Sequence, residues 1–290
     1  EGLHAFSSES VGLDINGIKW DHEFRPGEFM CVEEGEALKR QLTNSPKRAF
    51  CAFEFAYFMR PDSRVNGRFV YQARVDFGRA LARVYEEKAK RCDIVVSLPE
   101  TADDAAYGFH EEAGIPWERA TRRHRYVTQR AFITDAEDRG SVIFRKVNIL
   151  EPLIKGKNLA VVDDSIVRGD TTKGTVKRFR AAGAKEVHLF ITYPRIIGPC
   201  FYGIDMATYS QLIGARVTAE EIAKEVGADS VNYLSIEEYV KCTGIHADQL
   251  CLGCITNNYP TPMADEFAKQ MWERVKRGEA ETGRIYESAR

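Results

Sequence analysis

Apolar positions recur at helical spacing over residues 69–90, FVYQARVDFGRALARVYEEKAK, and predict an amphipathic helix. After it the pattern alternates. DIVVSLP (93–99), NLAVVDD (158–164) and EVHLFITYP (186–194) are continuous apolar runs of strand length, which predict strands covered on both faces. ADDAAYGFHEEAG (102–114) predicts a helix stopped by Gly114, and the segment from Thr171 to about Ala182 predicts another, ended by Gly183. Thr218 with Glu221 and Ser235 with Glu238 each fit a capping box, with VNYL (231–234) as a short strand between them. Strands alternating with helices imply an α/β fold, a parallel sheet flanked by helices. Residues 11–34 read instead as short strands, VGLDINGIKW and FMCV, around a turn at Arg25-Pro26-Gly27-Glu28. Residues 120–148 are rich in Arg without clear periodicity, as expected of a functional loop.

Composition narrows the function classes. With 290 residues, 44% hydrophobic, 29% charged and a formal net charge of −2, the chain has no bulk attraction to nucleic acid or to an anionic membrane. No apolar run approaches the roughly 18 residues of a membrane span. The opening EGLHAFSSES lacks the pattern of a signal peptide and an initiator Met. Seven cysteines, an odd count, argue against a disulfide framework and for the cytoplasm.

Residues 161–172, VVDDSIVRGDTT, hold the densest chemistry. Ligands of open parallel sheets bind where strands end, and there Asp163 and Asp164 stand together. Gly169 permits unusual backbone angles, and the following helix N-terminus favours an anion in the loop from Ser165 to Thr172. Carboxylates do not hold phosphate; they suit sugar hydroxyls, or a divalent metal through water. The combination points to a ribose 5-phosphate. The competing reading, that the two acids only cap strand and helix, leaves the anion loop unexplained. No G-x-x-x-x-G-K-[ST] occurs and no G-x-G-x-x-G follows a strand, which disfavours a P-loop NTPase and a dinucleotide fold. Cys251-Leu-Gly-Cys254 by itself is open among zinc, redox and iron–sulfur roles.

The stretch resembles the phosphoribosyl pyrophosphate (PRPP) motif of phosphoribosyltransferases. With GAKEVHLFITYP, PCFYGID (199–205), CAFEFAYFMRPDS (51–63) and YPT (259–261), the chain resembles the glutamine PRPP amidotransferase family over roughly residues 8–262. That resemblance implies a type I phosphoribosyltransferase fold. It divides the chain into a residual β segment (1–40) of a glutaminase-like domain, a phosphoribosyltransferase domain (41–262) and a C-terminal helix (263–290). It implies that Asp163 and Asp164 hold the ribose hydroxyls and, with Thr101, Mg2+; that Ser165, Ile166, Val167, Arg168, Gly169, Asp170, Thr171 and Thr172 cradle the 5-phosphate; and that Leu98, Pro99, Glu100 and Thr101 form the pyrophosphate loop. A flap from about Arg125 to Asn148 would supply Arg130, Lys146 and Asn148 to the pyrophosphate. Some members bind a [4Fe-4S] cluster at the positions of Cys51, Cys200, Cys251 and Cys254, all present here; zinc on the same thiolates is the alternative. Cys31, Cys92 and Cys242 match nothing and are expected to pack.

The implied reaction is attack of ammonia on C1 of PRPP, giving 5-phosphoribosylamine and pyrophosphate, the first step of purine synthesis. The family's N-terminal glutaminase nucleophile is missing, so the chain is expected to be truncated or a stand-alone transferase. Its nitrogen would come from free ammonia, a separate glutaminase or another small amine. Asp170 stands where the family usually has Thr. The rivals are transfer to a different amine in a specialised pathway and a non-catalytic PRPP- or nucleotide-sensing module. A cytoplasmic homo-oligomer is expected, without nucleic-acid or membrane partners.

Overall fold

The computed structural model describes residues 4–43, 47–123 and 147–281. Its centre is a four-stranded parallel sheet. In chain order the strands are β3 (Ile94–Ser97), β6 (Asn158–Asp163), β7 (Glu186–Ile191) and β8 (Ser230–Tyr233), following a hairpin β1 (Glu28–Glu33) and β2 (Glu36–Gln41) and a ribbon β4 (Thr121–Arg123) and β5 (Val147–Ile149). The sheet runs β3-β6-β7-β8, so consecutive strands are neighbours. Register aligns Ser97 with Val162 and Asp163 with Ile191, which brings the C-terminal strand ends to one edge.

Helices cover both faces, and this explains the unbroken apolar runs. Ala160 and Val162 face one core with Val95 and Phe190; Leu159 and Val161 face the other with Ile94, Val96 and Leu189. The first core is closed by α1 (Val70–Val84), α2 (Asp103–Ala113) and α5 (Ile236–Thr243), the second by α3 (Asp170–Ala181) and α4 (Ala219–Val226). The strands and helices stand where the sequence placed them, but the helix expected over 69–90 breaks at Tyr85 into Val70–Val84 and a turn Glu86–Ala89, and the strand expected over 186–194 ends at Ile191. Gly114 ends α2 in the left-handed conformation. The Thr218 box is complete: its Oγ1 accepts from the Glu221 amide at 3.3 Å, and Glu221 Oε2 accepts from the Thr218 amide at 2.8 Å. Only half of the second box forms: Ser235 Oγ accepts from the Glu238 amide at 3.2 Å, while Glu238 Oε1 lies 3.7 Å from Lys241.

The N-terminal segment differs from expectation. Val11–Asp14 is a single helical turn rather than a strand. The FMCV strand exists as β1, but it pairs antiparallel with GEALKRQ, whose mostly exposed residues carry no alternation. Cys31 lies on this hairpin and is exposed, not packed, whereas Cys92 and Cys242 are buried as expected. At the other end α6 (Pro262–Lys276) packs Ala264 and Ala268 on Tyr259 and Phe201. Among the described residues no helix is long and apolar enough to cross a membrane.

Candidate active site and cysteine site

Strand β6 ends at Asp163, and Asp164 begins the loop beyond it. Asp164 is buried and well partnered: Oδ1 accepts from Ser165 Oγ at 2.6 Å and Oδ2 accepts from Thr101 Oγ1. Asp163 Oδ1 accepts from the Asp164 amide at 2.9 Å. Burial pushes both carboxyls up; the neighbouring Asp164 charge adds to the rise at Asp163. The hydrogen bonds from Ser165 and Thr101 and the charge of Arg74 oppose the rise at Asp164. Arg74 is a buried guanidinium on α1, donating to the carbonyls of Phe55 (2.9 Å) and Met59 (2.7 Å). Burial thus disfavours the charged form of both acids, and a nearby cation or hydroxyl donors would favour it.

Loop 165–169 crosses the strand ends into α3. Gly169 (φ 91°) occupies the N-cap, and an added Cβ there would sit 2.8 Å from Ile213 Cδ1. Only glycine fits on both counts. Ile166 turns its side chain into the core, so only its main chain can face a ligand. The Val167 carbonyl accepts from the Ile213 amide at 3.0 Å. Arg168 reaches sideways, 3.1 Å to Gln211 Oε1 and 3.5 Å to Asp205 Oδ2. Asp170 is the first helical residue and exposed; its side chain makes no N-cap bond. Thr171 is exposed and Thr172 buried.

The loop 98–102 lies alongside, because the Leu98 amide donates to the Val162 carbonyl at 3.0 Å. The Pro99–Glu100 peptide is cis. Ser97 Oγ donates to Asp103 Oδ1 at 2.6 Å, Thr121 Oγ1 donates to the Ser97 carbonyl at 2.5 Å, and Glu100 pairs with Arg123 at 3.2 Å. The structure therefore brings Thr101 onto the acid pair, a contact 63 residues apart in sequence. Asn148 lies opposite Arg122 in the β4–β5 ribbon and is exposed. Arg130 and Lys146 lie outside the described residues.

The four cysteines singled out by sequence converge from three segments. Cys51 and Cys251 are register partners in a short parallel bridge, and the Cys254 carbonyl accepts from the amides of Ile197 (2.8 Å) and Gly198 (2.9 Å), just before Cys200. Burial pushes the Cys51 thiol up to about 12, with Cys251 and Cys200 adding to it; Cys254 is also driven up by burial and by the charges of the other three. Among the described residues no group of three or more His, Cys, Asp or Glu side chains is arranged to hold a metal ion.

Sequence reasoning missed Arg74, Thr192 and Tyr193. Thr192 and Tyr193 follow β7 and clasp the acid pair. The Thr192 amide donates to the Asp163 carbonyl (3.0 Å), and the Tyr193 amide donates to the Asp164 carbonyl (2.9 Å). The signal was their place just past the end of the neighbouring strand. Arg74 gave none, since it occupies a core position of an amphipathic helix.

No family model matches the chain. Curated relatives do. It is 38% identical over 263 residues to the amidophosphoribosyltransferase of Methanothermobacter thermautotrophicus, covering 91% of this chain and 55% of that one. It is 37% identical over 263 residues to the amidophosphoribosyltransferase of Bacillus subtilis, covering 89% and 54%. The solved glutamine PRPP amidotransferase from B. subtilis, complexed with ADP and GMP, superposes with a TM-score of 0.78 at 37% identity over 88% of this chain and 56% of that chain. The amidophosphoribosyltransferases are homologues of this chain. It spans about half the length of the curated relatives it matches. The parallel sheet flanked by helices agrees with the fold expected from the PRPP motif, and these amidophosphoribosyltransferase relatives confirm the resemblance read from VVDDSIVRGDTT.

Proposed function

We propose that the chain is a phosphoribosyltransferase that converts PRPP and ammonia to 5-phosphoribosylamine and pyrophosphate, the first step of purine biosynthesis. The observation that carries this reading is the pair of half-buried Asp163 and buried Asp164 at a strand end, followed by a glycine-capped helix N-terminus. The acids accept from the ribose hydroxyls. The amides of residues 165–172 and the positive end of α3 hold the 5-phosphate. The loop Pro99–Thr101 holds the pyrophosphate end, with Arg130, Lys146 and Asn148 as further contacts. In the transfer, the C1–O bond to pyrophosphate breaks, the C1–N bond forms, and the incoming nitrogen loses a proton. Positive charge accumulates at C1 and negative charge on the leaving group, so fixed charges carry the catalysis and no protein nucleophile is required. Mg2+, held through Thr101, Asp163 and Asp164, would neutralise the leaving pyrophosphate.

A [4Fe-4S] cluster on Cys51, Cys200, Cys251 and Cys254 rests on the resemblance and on the thiol donor set alone, since the described side chains are not arranged to hold a metal ion. Zinc on the same set is distinguished by metal analysis after anaerobic purification.

Pyrophosphate release is the direct test. PRPP, Mg2+ and ammonium should yield pyrophosphate and phosphoribosylamine. Release only with another amine assigns a different acceptor, and PRPP binding without turnover assigns a sensing module; either result rejects the proposed reaction.

A further inference from the structure

The phosphate loop leans on a segment with little regular structure of its own. Ile213 donates its amide to the Val167 carbonyl at 3.0 Å and places its side chain against Gly169. Arg168 donates to Gln211 Oε1 at 3.1 Å. Between Asp205 and Leu212 the chain forms only one 3-10 turn, Tyr209–Gln211. That turn is held from beyond α6. Gly278, in the left-handed conformation (φ 71°), turns the chain back, and the Glu279 amide donates to the Arg274 carbonyl at 3.0 Å. Glu281 then meets the turn with both oxygens: Oε1 accepts from the Tyr209 amide at 2.8 Å and Oε2 accepts from the Ser210 amide at 2.7 Å. Amides at the start of a helical turn have no partner within it, so the carboxylate fills a real vacancy. Tyr209 is fixed on its other side as well. Its ring lies 5.0 Å from Trp272 of α6, and its hydroxyl donates to Asn257 Oδ1 at 3.0 Å.

We propose that Glu281 is a positioning residue for the phosphate loop. Its carboxylate clamps the turn that carries Gln211, Gln211 holds Arg168 to the side, and the backbone of 165–169 is thereby set for an anion. The inference deepens the reading above and rests on it, since the anion is taken to be the 5-phosphate of PRPP. Bonds from amides to a carboxylate are charge-assisted and stronger than neutral ones. Without them the turn loosens, and a ligand must then order the loop itself at a cost in affinity. The 5-phosphate takes no part in bond making at C1, so it is held alike in the ground and transition states. A loosened loop therefore raises KM and leaves kcat in place.

The test compares Glu281→Ala with the parent by calorimetry with PRPP and Mg2+, by steady-state kinetics and by amide hydrogen exchange. PRPP affinity should fall about 10-fold, within the range for residues acting through a packed network. Turnover at saturation should stay within about 2-fold. Exchange should quicken at the Ile213 amide and across 165–172 while β7 stays protected; a residue serving only global stability would speed both. Should Glu281→Ala not accumulate, Gln211→Ala, which keeps the carboxylate clamp and removes the contact to Arg168, should give the same split between KM and kcat. The double variant should bind PRPP no more weakly than Glu281→Ala alone. Unchanged affinity, unchanged loop exchange or additive losses in the double variant overturn the inference and leave the PRPP reading standing. A parent that binds no PRPP rejects that reading instead, and loop exchange alone then decides the clamp.

Discussion

Helices α1 and α2 touch through two glycines, and substituting one of them should unfold more than it gains. An ideal Cβ on Gly108 would lie 2.0 Å from the Val75 carbonyl oxygen, and one on Gly78 would lie 1.8 Å from the Ala105 carbonyl oxygen. Ordinary contact begins at 3.4 Å, so Gly108→Ala requires the helices to part by about 1.4 Å (3.4 less 2.0). The obstacle is backbone, which cannot swing aside. Alanine improves helix propensity by about 1 kcal/mol. Against that, a radial gap of 0.5–1 Å already forfeits about a quarter to a half of each dispersion contact along the interface. That interface carries fully buried Phe77, Ala105, Ala106 and Phe109, and overpacking of this kind costs about 1–3 kcal/mol or more. Because the obstacle is backbone, the cost lies at the upper end of that range; about 3 less about 1 leaves a net destabilisation of about 2 kcal/mol, or about 4–8 °C in Tm for a domain of this size. Urea unfolding should show a lower midpoint at unchanged slope. Because α2 starts at Asp103, two residues after Thr101, PRPP affinity should fall as well. A Gly108→Ala protein as stable as the parent would refute the close-approach argument.

The acid pair predicts opposite effects on stability and turnover. The folded pKa of Asp163 is raised, so its contribution to stability is full below the unfolded value and is lost as pH rises through the folded one. In Mg2+-free buffer the Tm advantage of Asp163→Asn over the parent should therefore grow from pH 4 to pH 8, while turnover falls about 100-fold or more; a gap that shrinks with pH contradicts the assignment. Gly169→Ala meets both the left-handed backbone and Ile213, and should weaken PRPP binding as read by calorimetry more than it lowers Tm. Thr218→Ala removes the capping box of α4 and should cost about 1 kcal/mol in chemical denaturation, with PRPP affinity unchanged. Tyr239→Phe strands the buried Ala52 carbonyl and should cost about 1–2 kcal/mol, visible as a lower urea midpoint.

By itself the sequence determined the sheet and the candidate acids, because those depend on local pattern. Strands buried on both faces must be apolar throughout, so VVSL, AVV and HLFI were legible as strands. VVDD marked a strand end, since a carboxylate cannot continue into a core. CxxC and the PRPP-like string marked chemistry before any contact was known. Only the tertiary structure decided which distant groups meet: Thr101 on Asp164, Arg74 beneath them, and Cys51 and Cys200 drawn to Cys251 and Cys254. It also decided that Tyr193 reaches from the Asp164 carbonyl to the Cys254 sulfur. The physical reason is range. Periodicity and caps are set by neighbours along the chain, whereas burial, desolvation and hydrogen-bond partners are set by whatever the packed strands and helices place alongside.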